Sequence, residues 1–112
     1  MDQHGRENIF TVVIGGAAGD GIREAGMNLG KVLAKMGYEV FASFKYPSLI
    51  RGGHNFSRVS FSKEKIFYDH SHIDALIAFN DESIHRHLNN LTKDAVVFSE
   101  NFEQHDIEAL GA

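Results

Sequence analysis

The stretch "VVIGGAAGDGIREAGMNLG", from Val12 to Gly30, decides the fold because the backbone changes character within it. An apolar run gives way to four glycines between Gly15 and Gly21, and a helical pattern follows. Glycine reaches backbone conformations that other residues avoid, so this cluster indicates a specialised turn. A nucleotide-binding loop is one explanation, and a tight turn that packs a helix on a sheet is the other. The spacing of the glycines leaves both open.

The elements around this turn predict a βαβ unit. Residues 8–14 form a nearly continuous β-branched run, which is typical of a strand buried on both faces. Apolar residues at spacings of three and four predict an amphipathic helix over 22–36, and Gly37 stands where a left-handed helix cap belongs. Residues 38–44 read as a second strand, and strand, helix and strand together make the unit.

The remainder of the chain continues this alternation. Residues 56–69 predict a β-hairpin, and 73–80 and 94–99 predict two more strands. Asn80 or Asp81 can cap the start of a helix between those two strands. We therefore expect an α/β fold with three α/β/α layers, built on a largely parallel sheet with one β-hairpin. We also expect residues 1–112 to be a single domain cut from a longer one, with a flexible tail at 1–7.

Composition restricts the function further. The chain is 43% hydrophobic and 23% charged, as in an ordinary soluble globule, and its net charge of −4 provides no basic footprint for nucleic acid or a membrane surface. It contains no cysteine, which excludes disulfides, cysteine-ligated iron–sulfur clusters and thiol nucleophiles from this chain. The N-terminus has no apolar signal core, so we expect a cytoplasmic protein.

The glycine cluster suits a phosphate but not a dinucleotide. Backbone N–H groups, a lack of Cβ atoms and a following helix are what a phosphate cradle needs. However, Gly16, Gly19 and Gly21 follow the pattern G-x-x-G-x-G rather than the dinucleotide fingerprint G-x-G-x-x-G. The second strand also ends at Lys45 without the acidic residue that would hold a ribose. Phosphate binding and a structural turn remain equal alternatives, and an NAD site is disfavoured.

A second polar stretch, "FKYPSLIRGGHNFSR" from Phe44 to Arg58, could serve the same ligand. Lys45, Arg51 and Arg58 supply three positive charges, and Ser48 offers a hydroxyl group. Such a set suits a polyphosphate or a 3′-phosphorylated adenosine. A solvated loop with scattered charge is the alternative.

The histidines do not predict a metal site. His70 and His72 would share one face of a strand, but His85 and His87 on a helix would not face one ligand, and neither pair has a well-spaced third ligand. The chain also lacks G-x-S-x-G and H-E-x-x-H, so we predict neither catalytic residues nor a metal.

Three blocks in this order resemble the gamma domain of the 2-oxoacid:ferredoxin oxidoreductases: "IGGAAGDGIREAGMNLGKVLAKMGYEV", "KYPSLIRGGHNFSRVSFS" and "HIDALIAFN". The resemblance covers about residues 8–100, and "YPSLIRGG" is its most specific part. It is closest to the version fused to the N-terminus of an alpha subunit, as in enzymes for 2-oxoglutarate or for 2-oxoacids in general, pyruvate among them.

The resemblance implies a part in a larger reaction. Such enzymes oxidatively decarboxylate a 2-oxoacid, reduce ferredoxin and release an acyl-coenzyme A. Thiamine diphosphate and the iron–sulfur clusters would lie in other domains or subunits, and this domain would be non-catalytic. It would help to bind coenzyme A and would pack on the alpha and beta subunits or domains, with ferredoxin an indirect partner and a homodimer a further option.

The resemblance also assigns residues to coenzyme A. The positions that would line its ADP part or contact its phosphates are Gly16, Ala18, Gly19, Asp20, Gly21, Ser48 and Arg51. A purely structural protein-interaction module is the alternative function, and a nucleotide-binding Rossmann-like domain is a third.

Overall fold

The computed structural model describes residues 9–17, 19–45, 54–65 and 71–99. Within them it forms five strands and two α-helices, with a short 3₁₀ turn at Leu88–Asn90. In chain order the elements are β1 (Phe10–Ala17), α1 (Ile22–Lys35), β2 (Glu39–Lys45), β3 (His54–Ser62), β4 (Ile73–Ala78), α2 (Asp81–His87) and β5 (Leu91–Ser99). The strands form one sheet in the order β2-β3-β1-β4-β5.

The sheet is mixed, so the expectation of a largely parallel sheet was wrong. β1 pairs in parallel with β4, and β4 with β5, but β3 lies between β2 and β1 and is antiparallel to both. The reason is the connection after Lys45: a short return suffices to place an antiparallel neighbour, whereas a parallel one needs a crossover. β1 and β2 are thus parallel, as the βαβ pattern predicted, but they do not touch.

The predicted hairpin at 56–69 is replaced, among the described residues, by this pairing of β3 with β2 and β1. Residues 66–69, predicted as its second strand, lie outside the described residues. Two strand boundaries also differ from those predicted. β1 continues through Gly15 and Gly16 instead of ending before them, and β5 begins at Leu91 rather than at residue 94.

The two helices lie on opposite faces of the sheet. Alternate residues of β1 separate the two cores: Val12 and Ile14 pack with Ile22 of α1, whereas Val13 packs with Ile84 of α2. Because consecutive side chains of a strand point to opposite faces, this pattern places one helix on each side. The α/β class is confirmed, and the molecule has three layers.

The handedness of the crossovers explains this arrangement. The chain moves from β1 toward one edge of the sheet to form β2, and from β4 toward the other edge to form β5. Crossovers between parallel strands are right-handed, so opposite directions of travel place α1 and α2 on opposite faces. The direction reverses between β1 and β4, which is where α/β sheets of this kind bind ligands.

Both helices have identifiable ends. α1 stops in a left-handed cap at Gly37 (φ 98°), whose N–H bonds the Ala34 carbonyl while the N–H of Tyr38 bonds that of Leu33. Asn80 is the N-cap of α2, and its side-chain oxygen accepts hydrogen bonds from the N–H and the hydroxyl of Ser83. The cap predicted at Gly37 is confirmed, and of the two predicted N-cap candidates, Asn80 and Asp81, the structure selects Asn80.

The first turns of α1 lie unusually close to β3. The Ser57 hydroxyl donates a 2.8 Å hydrogen bond to the carbonyl of Ile22. A Cβ atom on Gly26 would lie 2.5 Å from both Cβ and Oγ of Ser57. Gly26 is therefore needed for this approach. Gly30 has more room, since its Cβ would lie 3.6 Å from the nearest side-chain atom, Cγ1 of Val40.

We predict that alanine has opposite effects at these two glycines. Gly26→Ala should lower the free energy of unfolding by about 1–3 kcal/mol, because the new methyl group displaces Ser57 from α1. Gly30→Ala should raise it by up to about 1 kcal/mol, because alanine favours the helix and fits the space. Urea denaturation followed by circular dichroism measures both. Equal effects at the two positions would contradict this account of the helix packing.

Candidate functional site

The carboxyl end of β1 is enclosed from both faces. A Cβ atom on Gly15 would lie 2.8 Å from Ser83 Oγ, and one on Gly16 would lie 2.9 Å from both Asp20 Oδ2 and Ile22 Cδ1. Ser83 belongs to the first turn of α2, and Ile22 is the first residue of α1. Both helices can therefore begin against the same strand end only because these two strand residues have no side chain.

The loop between β1 and α1 is held by its own aspartate. The Asp20 N–H donates to the Ala17 carbonyl at 3.1 Å, and Asp20 Oδ2 accepts the Ala17 N–H at 2.9 Å. One carboxylate oxygen is thus turned onto the end of the strand. Gly21 (φ 78°) forms the N-cap of α1 without a side-chain hydrogen bond, so no cap side chain covers the first N–H groups of the helix.

A cleft of about 490 Å³ opens beside this loop at the carboxyl ends of β4 and β5. Phe79 and Phe98 are half exposed there, at 50% and 57% of their surface. The residues that line the cleft are Asp20, Ile77, Ala78, Phe79, Phe98 and Ser99. Apolar walls with a few polar groups are typical of small-molecule sites, and this cleft lies beside the point where the sheet reverses direction.

The segment 46–53 starts and ends at the same edge of the sheet. Lys45 closes β2, which runs parallel to β1, and His54 opens β3 directly opposite Ala17. Both ends of the segment therefore lie beside the glycine loop, as the sequence predicted. Ser48 and Arg51, with Ala18 of the loop, lie outside the described residues. Of the predicted coenzyme A set, the structure describes Gly16, Gly19, Asp20 and Gly21, and it brings these four together.

Arg58 does not belong to this edge, so its grouping with Lys45 and Arg51 as a phosphate ligand was wrong. It lies within β3 opposite Val13, is 9% exposed, and places its guanidinium carbon 5.8 Å from the ring centre of Phe56. The strand alternation places Ser57 on the face of α1 and Arg58 on the face of α2. Arg23, an exposed residue in the first turn of α1, is a further described cation next to the loop.

Two buried histidines join β3 to α2. Nε2 of His54 and Nε2 of His87 lie 2.9 Å apart, and His87 meets the ring of Phe56 edge-on at 4.6 Å. Burial, together with neighbouring His54, Arg58 and Arg86, lowers the pKa of His87 to about 4. Burial also lowers the pKa of His54, with a smaller effect of Arg86 in the same direction. Both rings are therefore neutral near pH 7, and one donates to the other.

The described residues give no support to a histidine metal site. His87 is buried in its pair whereas His85 is exposed, so these two side chains do not face one ligand. His70 lies outside the described residues. Among the residues that the structure describes, no group of three or more His, Cys, Asp or Glu side chains could hold a metal ion.

The histidine pair predicts a pH dependence of stability. The folded state resists protonation of His87 until about pH 4, whereas the unfolded chain takes up that proton near pH 6.5. The free energy of unfolding should therefore fall as the pH drops from about 6.5 to 4, by up to about 1.4 kcal/mol per pH unit for one proton. Urea denaturation at several pH values measures this slope.

His87→Gln should flatten the slope over the same range, because glutamine does not titrate. His85→Gln, an exposed change on the same helix, is the matched control and should keep the slope of the unmodified protein. If His87→Gln kept that slope too, the buried pair would not be its source.

The sequence reasoning missed the aromatic walls of the cleft. Phe79 directly follows β4, Phe98 is the next-to-last residue of β5, and ends of parallel strands meet at one edge. That position was a usable signal. His54 offered none, because its partner His87 is 33 residues away in the chain.

No helix in the described part of the chain is long and apolar enough to cross a membrane.

Comparison with known proteins agrees with the resemblance of the sequence blocks. Residues 11–109 match the family described as pyruvate ferredoxin/flavodoxin oxidoreductase. A 2-oxoacid:ferredoxin oxidoreductase subunit alpha from Sulfolobus is 32% identical over 98 residues, which are 88% of this chain and 15% of the relative. Another alpha subunit, from Sulfurisphaera tokodaii, is 31% identical over 98 residues, which are 88% of this chain and 16% of that relative. The chain thus spans about one sixth of the length of these relatives.

Solved structures share the fold. A 2-oxoglutarate:ferredoxin oxidoreductase from Magnetococcus marinus, with 2-oxoglutarate, coenzyme A and succinyl-CoA bound, superimposes with a TM-score of 0.79 at 24% identity, over 90% of this chain and 18% of that one. A keto/oxoacid ferredoxin oxidoreductase gamma subunit from Geobacter sulfurreducens superimposes with a TM-score of 0.70 at 24% identity, over 81% of this chain and 50% of that subunit. Subunit PORC of pyruvate oxidoreductase from Thermotoga maritima superimposes with a TM-score of 0.74 at 15% identity, over 92% of this chain and 56% of that subunit. From the match over most of its length, the chain belongs to the pyruvate ferredoxin/flavodoxin oxidoreductase family.

Proposed function

We propose that this chain is a non-catalytic gamma-type domain of a 2-oxoacid:ferredoxin oxidoreductase and that it contributes to coenzyme A binding. One observation carries the proposal: the glycine loop, the aromatic cleft and both ends of segment 46–53 share the sheet edge beside the reversal point. The structural neighbour from Magnetococcus marinus, which has coenzyme A bound, supports the choice of ligand.

The phosphates of coenzyme A would occupy the loop. The first N–H groups of α1 carry partial positive charge and have no cap side chain over them. Arg23 would add charge from the same turn, and Ser48 and Arg51 would contact the phosphates from segment 46–53. Asp20 would act on the loop rather than on the ligand, since its carboxylate bonds the Ala17 N–H and fixes the turn.

The adenine ring would enter the cleft. Phe79 and Phe98 present half-exposed faces there, and aromatic rings stack on one another with a gain of about 0.5–1.5 kcal/mol beyond the area buried. Gly16, buried beneath Asp20 and Phe79, lets the loop and the cleft wall lie side by side.

The chemical steps would belong to the alpha and beta partners. Thiamine diphosphate would supply the carbanion chemistry of 2-oxoacid decarboxylation, and iron–sulfur clusters would pass electrons to ferredoxin. The chain has no cysteine to ligate such a cluster. Its own residues would bind and orient coenzyme A at the boundary with those partners.

Titration calorimetry of the assembled enzyme with coenzyme A tests this function. Arg51→Glu should weaken binding by about 10- to 100-fold, because a charge-assisted hydrogen bond is replaced by repulsion. Lys31→Glu, an exposed change of the same charge on α1, is the control and should bind as the unmodified chain does. Dephospho-coenzyme A lacks the 3′-phosphate. If Arg51 contacts that phosphate, the affinities of the Arg51→Glu variant and of the unmodified chain for dephospho-coenzyme A should differ less than their affinities for coenzyme A.

Phe79→Ala supplies an independent arm and should weaken binding by about 3- to 10-fold through lost stacking. The absence of heat with coenzyme A in the assembled enzyme would overturn the ligand proposal. If Arg51→Glu instead prevented the subunits from assembling while coenzyme A still bound, segment 46–53 would be a protein-interaction surface.

A further inference from the structure

β2 forms one edge of the sheet, and no strand among the described residues pairs with its outer side. Its seven residues, Glu39–Lys45, pair with β3 in an unbroken register. The residues between the two end charges, VFASF at 40–44, are uncharged, include no glycine or proline, and are rich in types that favour strands. Such an edge is a template for a further strand, which proteins normally prevent with charges, prolines or bulges.

The opposite edge of the described sheet has this protection. β5 carries the exposed charges Lys93 and Asp94 inside the strand, and its register with β4 shifts between Ile73 and Ala75. β2 carries charges only at its two ends, and they have opposite sign. Of the two edges, β2 is therefore the one on which a further strand would meet less hindrance.

The sequence of β2 is complementary to itself in the antiparallel sense. If two copies pair about a twofold axis at Ala42, Glu39 of each copy lies opposite Lys45 of the other. Opposite charges that face each other directly stabilise an antiparallel strand pair. The same alignment sets Val40 opposite Phe44, and an aromatic side chain beside a β-branched one is also favourable.

Other alignments of two copies lose these contacts. If the axis moved by one residue, to Phe41 or Ser43, neither end charge would lie opposite a charge of the other sign. A parallel alignment in register would place like charges side by side, which is destabilising. The charges of β2 therefore favour a second copy of this chain in one antiparallel register.

Helix α1 would meet its own copy over the same axis. It packs on β2 and β3 about equally and less on β1, so it runs over these two strands. At about 4.8 Å per strand, the two copies of α1 would stand about 10–14 Å apart in an antiparallel pair. Packed helices stand about 8–10 Å apart, so long side chains between them would complete the contact.

Met27 points toward this space. Gly26 faces Ser57 of β3, and Gly30 faces Val40 of β2. The helix turns by about 40° over the four positions from Gly26 to Gly30 and by about 100° from Gly26 to Met27. Met27 therefore points in the same sense as Gly30 but further, past β2 to its outer side. It is 49% exposed.

The height of Met27 along β2 also matches the axis. Ser57 is paired with Phe44, so Gly26 and Gly30 lie near the levels of Phe44 and Val40. Ala42 is midway between these two strand residues. An exposed methionine thus stands close to the proposed axis, where its counterpart from the other copy would meet it. Methionine adapts readily to such irregular apolar contacts.

We propose that β2 is a dimerisation edge, through which two copies of the chain join their sheets into one. Main-chain hydrogen bonds would continue from β2 into the β2 of the other copy, as in other cases of strand addition. The charges of Glu39 and Lys45 would set the register, and the two Met27 side chains would bury apolar area above it. The inference concerns the surface of the chain and does not depend on coenzyme A.

Sedimentation equilibrium of the full chain at several concentrations tests the proposal. The unmodified chain should form a dimer. Glu39→Lys and Lys45→Glu should each weaken it about tenfold or more, because each variant places like charges opposite one another at both ends of β2. An equal mixture of these two variants should recover the dimer, since both end pairs then have opposite charges again. A monomer at every concentration, or no recovery on mixing folded variants, would overturn the proposal.

Two matched pairs of variants control for nonspecific effects. Lys93→Glu makes the same change of charge as Lys45→Glu on the other edge strand and should leave the dimer intact. Met27→Glu should weaken the dimer, whereas Val32→Glu, on the opposite flank of α1 at 54% exposure, should not. Circular dichroism checks that each variant is folded. Equal loss of the dimer within either pair would contradict the proposed edge.

Ala42→Cys locates the axis directly, because the chain has no cysteine of its own. Residues directly opposite in an antiparallel pair have Cβ atoms about 4.5–5.5 Å apart, so mild oxidation should link two copies of this variant. Val96→Cys, at a position 46% exposed on β5, should stay unlinked. Linking as readily through Val96 as through Ala42 would overturn the assignment of the edge. Coenzyme A is absent throughout, so the result is separate from the calorimetric test.

Discussion

Two successive residues without Cβ atoms at the end of β1 determine how the rest of the molecule is arranged. Gly15 faces the start of α2 and Gly16 faces the start of α1, since neighbouring strand residues point to opposite faces. Glycine weakens a strand on its own account. Here the loss of strand stability is offset, because both helices can begin against the same strand end. The loop, the cleft and the reversal of direction in the sheet therefore coincide in one place.

The two sides of the sheet have different interiors. On the α1 side the contacts are apolar, apart from the hydroxyl of Ser57 on the first turn of the helix. On the α2 side, buried polar groups pair with one another: Thr11 Oγ1 with Ser60 Oγ at 2.8 Å, and His54 with His87. Burial of a polar group costs little folding free energy only when the group has a hydrogen-bond partner. A shift of β3 by one residue would separate these partners, so the contacts restrict the register of β3 more than apolar packing would.

Local signals in the sequence were sufficient for much of the fold. The periodicity of 22–36 located α1, and the residues Gly37 and Asn80 located helix ends, because caps depend on a few neighbouring groups. Strand order was beyond such signals. The insertion of β3 between β1 and β2 depends on the pairing of β1 with β3, which joins residues far apart in the chain, such as Thr11 with Ser60. Arg58 was grouped with the wrong residues for the same reason: the pattern predicted it within a hairpin strand, but only the register shows that it lies opposite Val13 on the face of α2.

In the site, too, some features follow from local sequence signals and others do not. The sequence could predict that the glycine loop and both ends of segment 46–53 lie at one edge, because strand ends follow from strand direction. It could not predict that Asp20 turns its carboxylate onto the Ala17 N–H, because that contact depends on the side-chain rotamer in the turn. The insertion of β3 has a further geometric consequence. From β2 to β5 the strand ends span four spacings, about 19 Å, with the loop near the middle. A molecule that touches both the cleft and Lys45 at the end of β2 must therefore be long and lie across the strands, and a compact one would reach only part of this edge.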